Sequence, residues 1–414
     1  MSQSTLVADR ASGKRLSPRL APDVNPIAWG GLAAAIVATA LLGFGEGGRI
    51  AALFVVGLAL GLVLYHAAFG FTSAWRSFAR DGRGRGLRAQ MVMMAIAVVL
   101  FFPALAAGTL FGIPVHGFVS PVSLSVLVGA FMFGLGMQLG GGCASGTLYT
   151  AGGGNARMLI TLVFFIVGSV LATVNFDFWT ALPGFQPISI VSSFGAPVAI
   201  VVSLAVFALI AGATYLVETR RHGALERAEA SPRHGLARFT RGPWPLLAGA
   251  VLLALLNFAT LSLAGRPWGI TSGFALWGAK LAGLVGIDAS AWTYWQSPSN
   301  AAALHQSVFA DVTSVMNFGI MLGAFVAAAL AGRLAPNFRI PWRSALAAVI
   351  GGLLLGYGAR IAYGCNIGAY FGGIVSGSLH GWLWAVAAYV GSMLGVRLRP
   401  VFFVDERARV AKTA

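Results

Sequence analysis

Ten apolar runs dominate the chain, at 27–45, 51–69, 89–110, 122–142, 157–175, 196–217, 243–265, 312–331, 343–361 and 379–396. Each is close to the roughly 20 residues that an α-helix needs to cross the hydrocarbon of a bilayer. Apolar residues occupy nearly every face of these runs, so no helical-period stripe separates a buried side from an exposed one. The pattern predicts an all-α fold: a polytopic membrane protein of about ten spanning helices. Composition agrees, with 57% hydrophobic and only 10% charged residues, against about 25% charged in soluble domains. The 55 glycines recur as GxxxG at Gly136–Gly140, Gly352–Gly356 and Gly368–Gly372, a spacing that lets membrane helices approach closely. The first apolar run is too long and unbroken for a cleaved signal peptide.

A net charge of +16 could mark a nucleic-acid surface, but its placement argues otherwise. Of the 28 Lys and Arg, 24 fall in the N-terminal tail, in 76–88, at Arg157, in 220–241, in 333–343 and after 396. With ten spans these segments all lie on one side, and 111–121, 176–194 and 287–311 on the other carry no cation. The positive-inside rule accounts for this bias and puts both termini in the cytoplasm. No nucleic-acid partner is needed; the bilayer itself is the partner of this surface.

The chain is also a repeat. Phe69-Gly-Phe-Thr-Ser-Ala-Trp75 aligns without a gap to Trp268-Gly-Ile-Thr-Ser-Gly-Phe274, and G-x-G-x5-G-C-x-x-G occurs at 134–146 and at 356–368. Each half reads helix, helix, G-[FI]-T-S, helix, helix, G-C-x-x-G, helix. Five spans is an odd number, so the second copy is expected upside down: an inverted 5+5 repeat with re-entrant segments at 70–86, at 268–286 and after each cysteine. Irregular backbone at membrane depth is tolerated only where protein buries it or where it lines a cavity, and inverted repeats with facing half-helices are a transporter architecture. The expected divisions are a polar N-terminal tail (1–26) and transmembrane repeat 1 (27–175). A connecting helix (196–217, the first span of repeat 2) and a basic loop follow within 176–242. Then come the rest of repeat 2 (243–396) and a cytoplasmic tail (397–414).

The two cysteines of the chain, Cys143 and Cys365, hold matched places in the two copies. A lone Cys is commonly a small hydrophobe, but matched thiols point to sulfur chemistry, since a thiol is a soft donor and acceptor. Gly142, Gly146, Gly364 and Gly368 would permit the close backbone approach of a broken helix, or serve helix packing alone. Ser145 and Asn366 could donate to a ligand or cap a half-helix. Arg360, within an apolar run, is a functional candidate by its cost of burial; it would attract an anion or pair with carbonyls to fix the turn. Thr72 and Ser73 could line a path or bond back to their own helix. The histidines have no spacing of a metal site, and no Walker-type loop, dinucleotide fingerprint or nucleophile elbow occurs; no cofactor is expected.

G-C-A-S-G-T-L-Y (142–149), G-C-N-I-G-A-Y-F-G-G-I-V-S-G-S-L-H-G-W-L-W (364–384) and H-A-A-F-G-F-T-S-A-W-R (66–76) resemble the YeeE/YedE sulphur-transport family over roughly residues 50–400. The resemblance implies uptake of thiosulfate or a related sulfur-containing anion, handed along a narrow path by cysteine thiols. The family pattern has three cysteines. Two carry over to Cys143 and Cys365, and at the place of the third this chain has Thr72 and Ser73. The family also has members linked to selenium and members that work beside a TusA-like cytoplasmic sulfur carrier. The expectation is therefore a transporter rather than an enzyme. A membrane thiol enzyme that carries sulfane sulfur as a persulfide, or a purely structural subunit, are the alternatives.

Overall fold

A computed structural model describes residues 26–227, 234–334 and 338–403. The polar N-terminal tail before Pro26, Arg233, and the C-terminal tail beyond Phe403 lie outside the described residues. The first half comprises α1 (Pro26–Gly45), α2 (Gly48–His66), α3 (Phe71–Asp81), α4 (Arg85–Ala107), α5 (Leu124–Gly140), α6 (Ala144–Gly152) and α7 (Ala156–Val174). A short α8 (Phe176–Thr180) precedes α9 (Ile190–His222), α10 (Gly235–Arg241), α11 (Leu246–Ala264) and α12 (Thr271–Leu284). Short helices α13 (Thr293–Gln296) and α14 (Pro298–His305) lead to α15 (Val312–Leu330) and α16 (Trp342–Ile361). A π-helical segment (Asn366–Phe371) runs into α17 (Gly372–Ile374), and α18 (Leu379–Phe402) closes the described chain. The only strands among the described residues are two-residue pairs, Thr109–Leu110 with Ile113–Pro114 and Val122–Ser123 with Gly184–Phe185.

Among the described residues ten helices are long and apolar enough to cross a membrane, and each overlaps one of the apolar runs. The boundaries differ where local chemistry overrides hydropathy. The third helix stops at Ala107 because Gly108 takes a left-handed conformation. The sixth begins at Ile190, six residues before its apolar run, and passes a non-helical Gly195 and Pro197. With 11 and 14 residues, α3 and α12 are too short to span alone.

The five long helices of the first half are α1, α2, α4, α5 and α7; those of the second are α9, α11, α15, α16 and α18. Several pairings recur when the halves are exchanged, though α1 on α2 does not. Helix α7 packs on α16 as α18 packs on α5, α2 on α15 as α11 on α4, and α1 on α15 as α9 on α4. Helix α5 meets its own counterpart α16. Bare backbone makes these contacts possible. A Cβ on Gly351 of α16 would lie 2.1 Å from the Gly140 amide nitrogen of α5, and one on Gly134 would run into Ala388 of α18. Both cysteines sit in the resulting apolar core, while large side chains such as Phe44 and Leu209 face outward.

The cation-rich connections gather at one end of the bundle. There Glu218 of α9 accepts from Arg88 (2.7 Å) and Arg83 (3.3 Å), His222 bonds the Asp81 carbonyl, and the Trp244 amide donates to the carbonyl of His66. At the opposite end His116 donates to Gly265, Ile190 to Gly377, and Lys280 caps the carbonyls of Leu304 and Gln306.

Replacing Gly351 by Ala should lower stability by about 1–3 kcal/mol, the usual cost of overpacking a closed contact. Gly212→Ala, where an added Cβ meets nothing within 4 Å, should be neutral. Thermal unfolding of the two variants in detergent checks this.

Candidate functional site

Two breaks in two long helices build the site. Helix α5 stops at Gly140, and Gly141 (φ 91°) turns the chain in a left-handed conformation that a side chain would strain. Cys143 is then extended and forms the N-cap of α6. The amide and the hydroxyl of Thr147 both donate to its carbonyl at 2.8 Å. In the second half α16 ends at Ile361, Tyr363 carries the positive φ (59°), and Cys365 caps the π-helical segment. Its carbonyl accepts from the amides of Ala369 (2.8 Å) and Tyr370 (3.2 Å). The segments after the two cysteines pack on each other.

Both sulfurs are free thiols, fully buried. The Cys143 sulfur lies 3.4 Å from the Ser145 hydroxyl, and the amides of Gly146 and Phe71 face it. The Ile367 amide donates to the Cys365 sulfur at 3.4 Å, with the Gly368 amide nearby. Each thiol thus sits at a helix N-terminus, where unpaired N–H groups and the helix dipole favour an anion. Cys143 also faces Phe71, the first residue of α3. The motif glycines divide by role. A Cβ on Gly364 would come within 2.7 Å of the Ala369 nitrogen, and one on Gly142 within 3.1 Å of Gly146 and Thr147. Gly146 only adjoins the Cys143 sulfur (3.4 Å), and beside buried Gly368 there is open space. Asn366, wholly buried, leaves both its amide oxygen and its amide nitrogen without a partner. An unpaired buried polar group is costly and asks for an explanation such as a ligand.

Thr72 and Ser73 stand apart from the sulfurs' own caps. The Thr72 hydroxyl is buried and unpartnered, whereas the Ser73 hydroxyl bonds back to the carbonyl of Gly70 at 3.2 Å. Arg360 is held by a carbonyl and a phenol. It donates to the Thr271 carbonyl (2.9 Å) and to the Tyr294 hydroxyl, and it lies 5.1 Å from the Tyr294 ring centre. Its counterpart Gln138 donates to the carbonyl of Thr72 (3.2 Å) and to Ser392 (2.8 Å). Matched residues therefore hold matched carbonyls, and both anchor the first turn of a short helix. Arg157 further satisfies Leu139 (2.6 Å) and Gly140 (2.9 Å) at the end of α5.

Sequence reasoning missed the wall of this site. Phe71, Trp75, Tyr370 and Trp384 form a continuous aromatic cluster, with Tyr370 and Trp384 stacked at 6.1 Å. The Trp384 indole donates to the Gly364 carbonyl at 3.1 Å. Aromatic residues inside apolar runs look lipid-facing, and only the repeat of T-S and G-C segments hinted that these stretches meet. Among the described residues no cluster of three or more His, Cys, Asp or Glu could hold a metal.

Interrupted helices of spanning length and two buried thiols define a multi-span membrane protein with a sulfur-bearing apolar core. The chain belongs to the sulphur transport family, whose model matches residues 66–394. It is 29% identical to the thiosulfate transporter TsuA of Spirochaeta thermophila over 82% of this chain and 95% of that one. To the Escherichia coli (strain K12) protein of the same name it is 26% identical, over 87% and 97%. It is 32% identical to the probable transporter YedE of the same bacterium over 41% of this chain, and the match spans 42% of that relative's length.

Removing either anchor takes the second donor from a buried first-turn carbonyl, at a cost of about 0.5–1.5 kcal/mol for the amide and about 1.5–3 kcal/mol for the guanidinium. Gln138→Leu should speed amide hydrogen exchange in residues 75–77 and Arg360→Met in residues 275–277, each without changing the other segment. Mass-spectrometric exchange on the detergent-solubilised protein reads this out.

Proposed function

We propose that the protein moves thiosulfate or a similar sulfur-containing anion across a bacterial inner membrane, with Cys365 and Cys143 as successive contacts for its terminal sulfur. The observation that carries the reading is the pair of buried thiols, one at each helix break, on segments that pack together. The names of the TsuA relatives supply the ion. The recurring helix pairings and the odd number of spans per half support an inverted repeat, and the gathered cations support cytoplasmic termini. In that orientation Cys365 is reached from outside and Cys143 from inside.

The chemistry fits the groups present. A neutral S–H donates weakly to sulfur, so it guides an ion without holding it, as conduction requires. The amides at Gly146, Ile367 and Gly368 and the unpartnered amide of Asn366 are placed to donate to the oxygens of the same ion. Gln138 and Arg360 meanwhile hold the first turns of α3 and α12 in place.

Cys143→Ser and Cys365→Ser should each reduce uptake of labelled thiosulfate into proteoliposomes to background while leaving expression and thermal stability unchanged. Normal uptake by both would sink the reading. Intact-mass analysis after turnover separates it from a persulfide-forming enzyme: a relay leaves both cysteines unmodified, whereas an added sulfur on either identifies the enzyme.

A further inference from the structure

A second polar site lies at the cation-rich end, apart from both cysteines. It is a pocket of 160 Å³ whose lining includes Gly70, Ser73, Arg83, Arg85, Gln90 and Glu226. Its roof is the first turn of α3, whose N-cap Gly70 offers no side-chain cap, so the amides of that turn have no partner from a capping side chain. Gln90 is the second observation. It is 1% exposed, its amide oxygen is taken by the Trp75 indole at 3.1 Å, and its amide nitrogen has no partner. A buried donor left open beside a polar pocket is costly unless a ligand oxygen meets it.

The charge around the pocket favours an anion. Arg83 and Arg88 share Glu218, which lies behind the wall, and Glu226 lies at the exposed rim. Three guanidinium groups (Arg83, Arg85 and Arg88) against two carboxylates (Glu218 and Glu226) leave one positive charge, and Arg85 lines the pocket. Apart from Glu226 at the rim, the polar side chains of the lining are N–H donors and the hydroxyls of Ser73 and Ser77, with no thiol, so the pocket suits hard oxygen atoms rather than a soft sulfur.

We propose that this pocket is an oxyanion station at the inner end of the path, which takes a tetrahedral sulfur oxyanion by its oxygens once its sulfur has left Cys143. The role in a path rests on the transport reading above; binding of an oxyanion does not. Sulfate is therefore the probe, because it presents the oxygens without a terminal sulfur for a thiol to recognise.

Isothermal titration of sodium sulfate into the full chain in lipid nanodiscs tests the site. The wild-type protein and Cys143→Ser should bind sulfate equally. Arg85→Ala should weaken binding at least tenfold, and Arg85→Lys should restore most of it. Gln90→Glu, which keeps the acceptor for Trp75 and replaces the open donor by a carboxylate, should also weaken it at least tenfold. Absence of sulfate binding by wild-type protein that melts normally would overturn the proposal, as would equal affinity in wild type, Arg85→Ala and Gln90→Glu. Since the readout needs no transport, loss of the cysteine relay and loss of this site are separate outcomes.

Discussion

The structure depends on satisfying backbone groups where helices are broken in an apolar interior. Water is not there to do it, and each orphaned N–H or C=O costs several kcal/mol in hydrocarbon. The chain breaks α5 and α16 nevertheless, and the bonds around the breaks show how this is sustained. The end of α5 gives its carbonyls to Arg157, the Gly364 carbonyl goes to Trp384, and each cysteine carbonyl starts the next helical segment. The open amides that remain are on the side of the sulfurs.

This constraint explains why the residues most tightly fixed are not the cysteines. Gln138 and Arg360 occupy the same motif position and hold the same carbonyl in the two halves, though one is neutral and one is charged. Close helix contact does the rest. The α5–α16 seam admits no Cβ at Gly351, so the two breaks are set at a fixed separation by backbone touching backbone.

Much of this was legible in the sequence. Hydropathy located all ten long helices, since a spanning helix is set by length and apolarity alone, and missed several ends by a few residues, among them those that Gly108 and Gly195 set. The repeated G-C-x-x-G exposed Cys143 and Cys365, and the steric roles of Gly142 and Gly364 followed from the same spacing. The partners of Arg360 were not legible, because Thr271 and Tyr294 come from distant segments. Gln90 was invisible for another reason: a single amide in an apolar run carries no pattern, and its meaning comes only from the donor left unpaired once Trp75 has taken its oxygen. The aromatic cluster around Trp384 was hidden because inward- and lipid-facing aromatics look alike in a helix that is apolar on every face.

The placement of charge bears on how an anion could pass. No guanidinium bonds either sulfur; Arg360 and Arg157 are spent on carbonyls and a phenol. A full charge in direct contact with an anion at about 4 Å would contribute about 4 kcal/mol at an effective dielectric near 20, roughly a thousandfold in affinity. Spread along a path, such contacts would become traps. On the proposed reading, keeping cations one layer back and leaving amides and thiols at the surface of the breaks would lower the cost of bringing an anion into the membrane without creating a deep well there. Stronger, charge-assisted donors would act instead at the proposed station at the cation-rich end, where water could compete with them and ease release.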